Sequence, residues 1–174
     1  VSATSGASES ANSAQVSATP NGVDLVETAV GNPPALAAPG ASFSATDTVK
    51  NQGVAAAAAS ATRYYLSADQ QKSGGAVLVG GSRSVPSLAA GQSSSGSATV
   101  TIPSSIPLGT YYLLACADEL NAVAETDETN NCLASAATVN VTRPDLVETA
   151  VSNPPVTKAR GGTFTVTDTV KNQG

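Results

Sequence analysis

Residues 24–53 read DLVETAVGNPPALAAPGASFSATDTVKNQG and residues 145–174 read DLVETAVSNPPVTKARGGTFTVTDTVKNQG, so one stretch returns 121 positions later with 21 of 30 positions identical. A period near 120 residues is far longer than the roughly 20 to 50 residues of a solenoid unit and matches one whole domain. Each repeat is therefore expected to fold around its own core. On this reading residues 1–22 are a linker or the end of a preceding repeat, residues 23–143 are one complete unit, and residues 144–174 are the truncated start of the next.

Within the stretch, Phe43, Ala45, Asp47 and Val49 share one side of an extended chain because side chains alternate at period 2. Phe164, Val166, Asp168 and Val170 repeat the pattern. That side is expected to face a core, which leaves Asp47 needing a partner or a position at the rim. Arg63, on the next strand, is the expected partner.

From Val23 onward, short runs rich in Val, Thr and Tyr are separated by Gly, Pro, Asn and Ser clusters, the pattern of an all-β sandwich or barrel. Strands are expected over residues 24–30, 42–51, 62–67, 76–85, 94–102, 110–117 and 133–141. Seven strands fit an immunoglobulin-like β-sandwich, one complete repeat followed by the first strands of another. The alanine-rich run 54–60 follows the turn signal Asn51-Gln52-Gly53 and is too short to hold a helix alone, so it reads as a connection or irregular strand. The pairs Gly74-Gly75 and Gly80-Gly81 are expected at hairpin turns.

A unit of this size buries roughly two thirds of its unfolded surface, enough for an independent core. Aromatics are only 3% of the chain, so that core rests on Val, Leu, Ala and a few Tyr. Residues 1–22 are rich in Ser and Ala and read as linker; alternatively Glu9-Ser10-Ala11-Asn12 is an eroded copy of Glu128-Thr129-Asn130-Asn131, with Val16–Thr19 standing for a final strand. Methionine is absent, even at position 1, so the sequence is expected to be a window on a longer precursor. No apolar run reaches the roughly 18 to 20 residues of a membrane helix, and the N-terminal segment lacks the form of a signal peptide. With a net charge of −5 and no basic patch interleaved with aromatics, a nucleic-acid partner is not expected.

The chain has no histidine. A Ser-His-Asp triad, a Cys-His pair and a His metal site are all excluded, and there is no GxSxG elbow or phosphate-cradling loop. Four Tyr and no Trp make a poor platform for sugar rings, which weighs against a paired-carboxylate glycosidase.

The spaced motifs Asp24-Leu25-Val26, Val49-Lys50-Asn51-Gln52-Gly53, Tyr65-Leu66-Ser67-Ala68-Asp69, Gly109-Thr110-Tyr111, and Ala117-Asp118 followed by Asn121, Glu125 and Glu128-Thr129-Asn130-Asn131 come in this order along the chain. Together they resemble the CARDB family, the cell-adhesion-related domain found in bacteria. The resemblance implies an immunoglobulin-like sandwich repeated in large exported proteins, and it implies no reaction. It points to an extracellular or cell-surface location and to a spacer or cell-adhesion role beside adjacent repeats of the same chain. The alternative is a carbohydrate- or protein-binding accessory module attached to a secreted enzyme, with an extracellular protein or glycan as partner. The segment after Asp69 reads QQKSGGA, where relatives often carry further acids, which weakens ion binding there.

If Tyr111, Leu113, Ala115 and Ala117 face inward with Leu133, Val139 and Val141, parity puts Cys116 and Cys132 on the opposite, outer face of neighbouring strands. In an exported protein they form a disulfide, which contributes roughly 3 kcal/mol in the chain-entropy model; the other reading is a reduced pair. Between them lie Asp118, Glu119, Glu125, Asp127 and Glu128, five of the chain's 13 acids. Two readings are open. Asp118, Asn121, Glu125, Asp127 and Glu128 supply the oxygen chemistry of a calcium site without EF-hand spacing. Otherwise no cofactor is bound: Asp118 and Asn121 make a turn, Asn130 and Asn131 bond loop backbone, and the remaining acids are solvated.

Overall fold

The computed structural model describes residues 22–174. The readings of residues 1–21 as linker or eroded repeat lie outside the described residues. Among those described there are ten strands and no helix, and so no helix long and apolar enough to cross a membrane. In chain order they are β1 Leu25–Val30, β2 Leu36–Ala37, β3 Ser42–Asn51, β4 Ser60–Ser67, β5 Val77–Val85, β6 Ser93–Thr101, β7 Gly109–Cys116, β8 Cys132–Val141, β9 Leu146–Val151 and β10 Asp168–Asn172. The seven stretches expected to be extended are all strands. Strand β2 is an addition: it lies in a Pro- and Ala-rich segment without alternation and pairs parallel with β8, Leu36 opposite Asn140 and Ala37 opposite Val141.

The strand order is β1-β3-β6-β5-β4-β7-β8-β2. Strand β5 joins two layers. Its two ends pair with β4, while Gly80 in its middle pairs with Thr101 of β6. Gly80-Gly81 is therefore not a hairpin turn, as expected from sequence, but the point where one strand passes between layers. Gly81 has a φ of 99°, and a Cβ there would lie 2.2 Å from the Thr99 carbonyl oxygen; only glycine fits both constraints. The pair Gly74-Gly75 does sit in the turn between β4 and β5.

Alternation buries two apolar clusters. Tyr64, Leu66, Val100, Ile102, Leu113 and Val139 centre one, and Leu25, Val49, Ala57, Val85, Leu88 and Val123 form most of the other. Between them lies a polar layer. Glu27 stands two residues from Leu25, Asp47 two from Val49, Thr62 two from Tyr64 and Arg83 two from Val85, so the period of 2 sets all four at one level of the sandwich, where all four are buried.

Arg83 donates through Nε to both Asp47 oxygens at 2.8 and 2.9 Å and pairs through a terminal nitrogen as well. The Tyr64 hydroxyl donates to Asp47 at 2.6 Å, and the Thr62 hydroxyl donates to Glu27 at 2.9 Å. The expected partner Arg63 is thus replaced by Arg83. Arg63 lies between the inward residues Thr62 and Tyr64, and parity turns it to the other face. Burial pushes the Glu27 carboxyl up to about 8, with the Asp47 charge adding to the rise and the Thr62 bond opposing it. Burial and the bond to Asp47 likewise push the Tyr64 phenol up.

The alanine-rich run is a connection. Ala57 and Leu88 exchange backbone bonds at 2.8 and 3.1 Å, and the Asn51 side-chain amide donates to the carbonyls of Ala55 and Leu88. Strands β9 and β10 pair with each other from Asp168 opposite Val151 to Asn172 opposite Leu146. Phe164, Val166 and Val170, expected to face a core, are exposed, and Phe164 and Val166 lie outside the strand. Residues 144–174 contain no counterpart of the strands that cover Ala45 and Val49 in the first copy.

Candidate functional site

The acid-rich loop, residues 117–131, joins β7 to β8. Among the described residues, Asp118 and Asn121 are the non-glycine residues with positive φ, 41° and 49°, a conformation that Asp and Asn tolerate better than other side chains. The Asn121 N–H donates to the Asp118 carbonyl at 2.7 Å, closing a turn. The buried Asp118 carboxylate then accepts the N–H groups of Ala122 at 3.2 Å and Val123 at 2.7 Å. This aims Val123 into the second apolar cluster.

The rest of the loop is fastened to the start of β1. Thr126 donates from its backbone N–H to the Val23 carbonyl at 2.9 Å. The Glu125 carboxylate accepts the Leu25 N–H and the Asn131 amide, the latter at 3.0 Å. Burial pushes this carboxyl up to about 7 against the opposing pull of the Leu25 bond, and the nearby Glu128 charge adds to the rise. Glu128 accepts the Glu125 N–H at 3.0 Å. Asp127 accepts the Thr129 hydroxyl at 2.6 Å and the Thr129 N–H at 2.8 Å, which hold it below the usual carboxylate range. Asn130 donates to Asp24 at 3.0 Å, and Asp24 also accepts from Gln52 at 2.8 Å.

Glu125 is therefore not a solvated acid, and Glu119 has a role that its place in an acid run did not signal. It accepts from the Tyr65 hydroxyl at 2.6 Å and from Lys72, tying the loop to the β4–β5 turn. Burial and this bond push the Tyr65 phenol up to about 12. A polar cleft of about 390 Å³ lies between the two segments, lined by Gln70, Lys72, Asp118, Glu119 and Asn131 among others.

Cys116 and Cys132 are opposite each other in register and joined in a disulfide. They lie on the face opposite Ala115 and Leu133, as parity requires. That face is not open to solvent at Cys116, which is fully buried with the Glu119 carboxylate beside the disulfide. Leu133, expected inside, shares the face of Ala115 but remains 37% exposed. Two residues downstream, Ser135 fills a bulge: its hydroxyl accepts the Leu113 N–H at 3.0 Å and donates to the Ala137 carbonyl at 2.7 Å.

The residues considered for calcium share this loop but do not converge. Among the described residues, the group of three or more acidic or cysteine side chains with ligand atoms within 4.8 Å of one another is Cys116, Glu119 and Cys132, and its two sulfurs are bonded to each other. Asp118 and Glu125 use both carboxylate oxygens on N–H groups of the loop and β1, while Asp127 and Glu128 each accept through one oxygen within the loop. As arranged here, the set does not fit the six to eight converging oxygens of a calcium shell.

The residues that tie this pole together, among them Asp24, Asn51, Gln52, Asp118, Glu125, Asn130 and Asn131, all lie within residues 22–135, which the CARDB family model matches. The chain belongs to the CARDB family. CARDB is a non-catalytic, adhesion-related domain family. A CARDB domain from Pyrococcus furiosus, in complex with di-metal ions, is 23% identical, with 71% of this chain and 97% of that one covered and a TM-score of 0.47. A domain of a protein assigned to the cell surface of Methanosarcina acetivorans is also 23% identical, covering 69% of this chain and 92% of its own, at a TM-score of 0.46. A β-glucosidase from Erythrobacter marinus is similar at 13% identity over 67% of this chain and 15% of its own, at a TM-score of 0.41. No curated protein matches the chain.

Proposed function

We propose that residues 23–143 are one unit of a tandem array of CARDB repeats outside the cell, that residues 144–174 open the next unit, and that the array works as a spacer or adhesion module without catalysis. The observation that carries this reading is the recurrence of bonding detail with sequence. Thr28 and Thr149 each donate to the carbonyl of a partner-strand Thr, and Gln52 and Gln173 each donate a backbone N–H to the Asp that opens their unit. The pole motifs then serve to set the start of each unit on its own β7–β8 loop. A disulfide across that loop supports an oxidising compartment.

Small-angle scattering on the natural chain at lengths of two and three repeats tests the spacer. The maximum dimension should grow by roughly 35 Å per repeat, the length of a ten-residue strand; a dimension that fails to grow contradicts it. The accessory-module reading predicts instead a selective signal on a glycan array or against extracellular matrix proteins. Calcium bound by Asp118, Asn121, Glu125, Asp127 and Glu128 is a separate reading, supported by the density of acids. Millimolar calcium raises the melting temperature on that reading and leaves it unchanged on the one favoured by the bonds above.

A further inference from the structure

Of the ten asparagines in the chain, Asn140 is the one with a serine or threonine two residues on, in the run Asn140-Val141-Thr142. The middle residue is not proline, so the run has the form of an acceptor for an N-linked glycan. A motif this short decides nothing without its surroundings.

Asn140 is the next-to-last residue of β8, at the opposite end of that strand from the disulfide. Val141 is buried, and Ala37, opposite it on the parallel strand β2, packs on the first apolar cluster. Asn140 and its opposite residue Leu36 stand one position earlier on each strand, so parity turns both outward on the same face. Asn140 is exposed, as is Thr110 opposite it on β7. Strand β2 is the last of its sheet, so no further strand stands beyond Leu36 to block approach from that side.

The side chains of Asn32, Asn51, Asn130 and Asn131 are all committed to bonds that hold the fold. Asn140 bonds through its backbone instead, donating its N–H to the Ala35 carbonyl at 2.9 Å. Among the described residues its side-chain amide has no partner. Leu36 is the second observation: it is 65% exposed beside Asn140, about 4.8 Å away at the spacing of adjacent strands. A sugar ring on the Asn140 amide starts at that distance and can lay its C–H face on the Leu36 side chain.

We infer that Asn140 carries an N-linked glycan whose first sugar covers Leu36. The inference rests on the reading of the chain as exported. In the transfer, Asn140 Nδ2 forms a bond to the anomeric carbon of a sugar carried on a lipid diphosphate. The bond from that carbon to the diphosphate oxygen breaks, the diphosphate leaves with the electron pair, and the amide proton passes to water.

Peptide mass spectrometry on the chain isolated from the cells that make it tests the inference. Peptides containing Asn140 should carry a sugar mass on that residue; Asn140→Gln and Thr142→Ala should abolish it, and Thr142→Ser should keep it. The Leu36 methyl resonances of the glycosylated chain should shift relative to those of Thr142→Ala, while those of Leu120, also 65% exposed, should not. An unmodified Asn140 in chain recovered outside the cell with the Cys116–Cys132 bond formed would overturn the glycan and leave the exported reading intact. Sugar found only on serine or threonine would overturn it equally, and a modified Asn140 with unmoved Leu36 resonances would overturn the covering of Leu36. Chain found only inside the cell with both thiols free would defeat the exported reading and the glycan with it.

Discussion

Asp47 shows how one residue can organise a core. Its carboxylate is buried between two apolar clusters, where an unpaired charge is costly, and three nitrogen–oxygen approaches from Arg83 together with the Tyr64 hydroxyl offset that cost. Arg83→Met should therefore destabilise the unit by about 3–5 kcal/mol in denaturant unfolding, because Asp47 is left buried without its counter-charge. Arg63→Met should stay within about 0.5 kcal/mol. Equal losses in the two variants would restore the pairing expected from sequence. Glu27 in the same layer sets a pH dependence. Its carboxyl holds a proton to about 8 in the folded chain against an ordinary value of 4.5, so unfolding between those values releases a proton and stability falls as pH rises. Glu125, raised to about 7, acts with the same sign. The melting temperature should be lower at pH 8.5 than at pH 5 by on the order of 5 °C, and Glu27→Gln should remove most of that difference. A melting temperature that rises over this interval would refute the buried, proton-holding Glu27.

At the scale of elements, the strands were legible because alternation and turn residues are local signals, and β3 shows this best: Ala45, Asp47 and Val49 are all buried as period 2 requires. What stayed illegible was non-local. A two-residue strand such as β2 carries no period. A glycine pair reads the same whether it turns a hairpin or lets β5 cross between layers, since the difference lies in the approach of Thr99 from another strand. The acid loop was legible as a composition but not as a set of bonds, because the groups that Glu125 and Asn130 meet are about a hundred residues away. Gly81→Ala should cost about 2 kcal/mol or more through positive φ and the contact with Thr99, while Gly74→Ala, with nothing within 4 Å, should be neutral or slightly stabilising. Comparing the two by chemical denaturation checks the assignment, and equal effects would return Gly80-Gly81 to a simple turn.

For the whole molecule, the proposed array puts units in series, and the unit at residues 23–143 has its own apolar core and a disulfide-closed loop. Cys116 and Cys132 are 16 residues apart in sequence, and removing the link by paired Cys→Ala changes should cost about 3 kcal/mol by the chain-entropy argument, read as a loss in unfolding free energy. The same link hides the loop from an applied force. Pulling single molecules of the natural multi-repeat chain tests the array most directly. The extension trace should show one rupture per repeat with equal contour-length increments, each growing by roughly 55 Å on reduction as the locked loop is released. Increments that do not recur, or that are unchanged by reduction, would contradict an array of autonomous, disulfide-closed repeats.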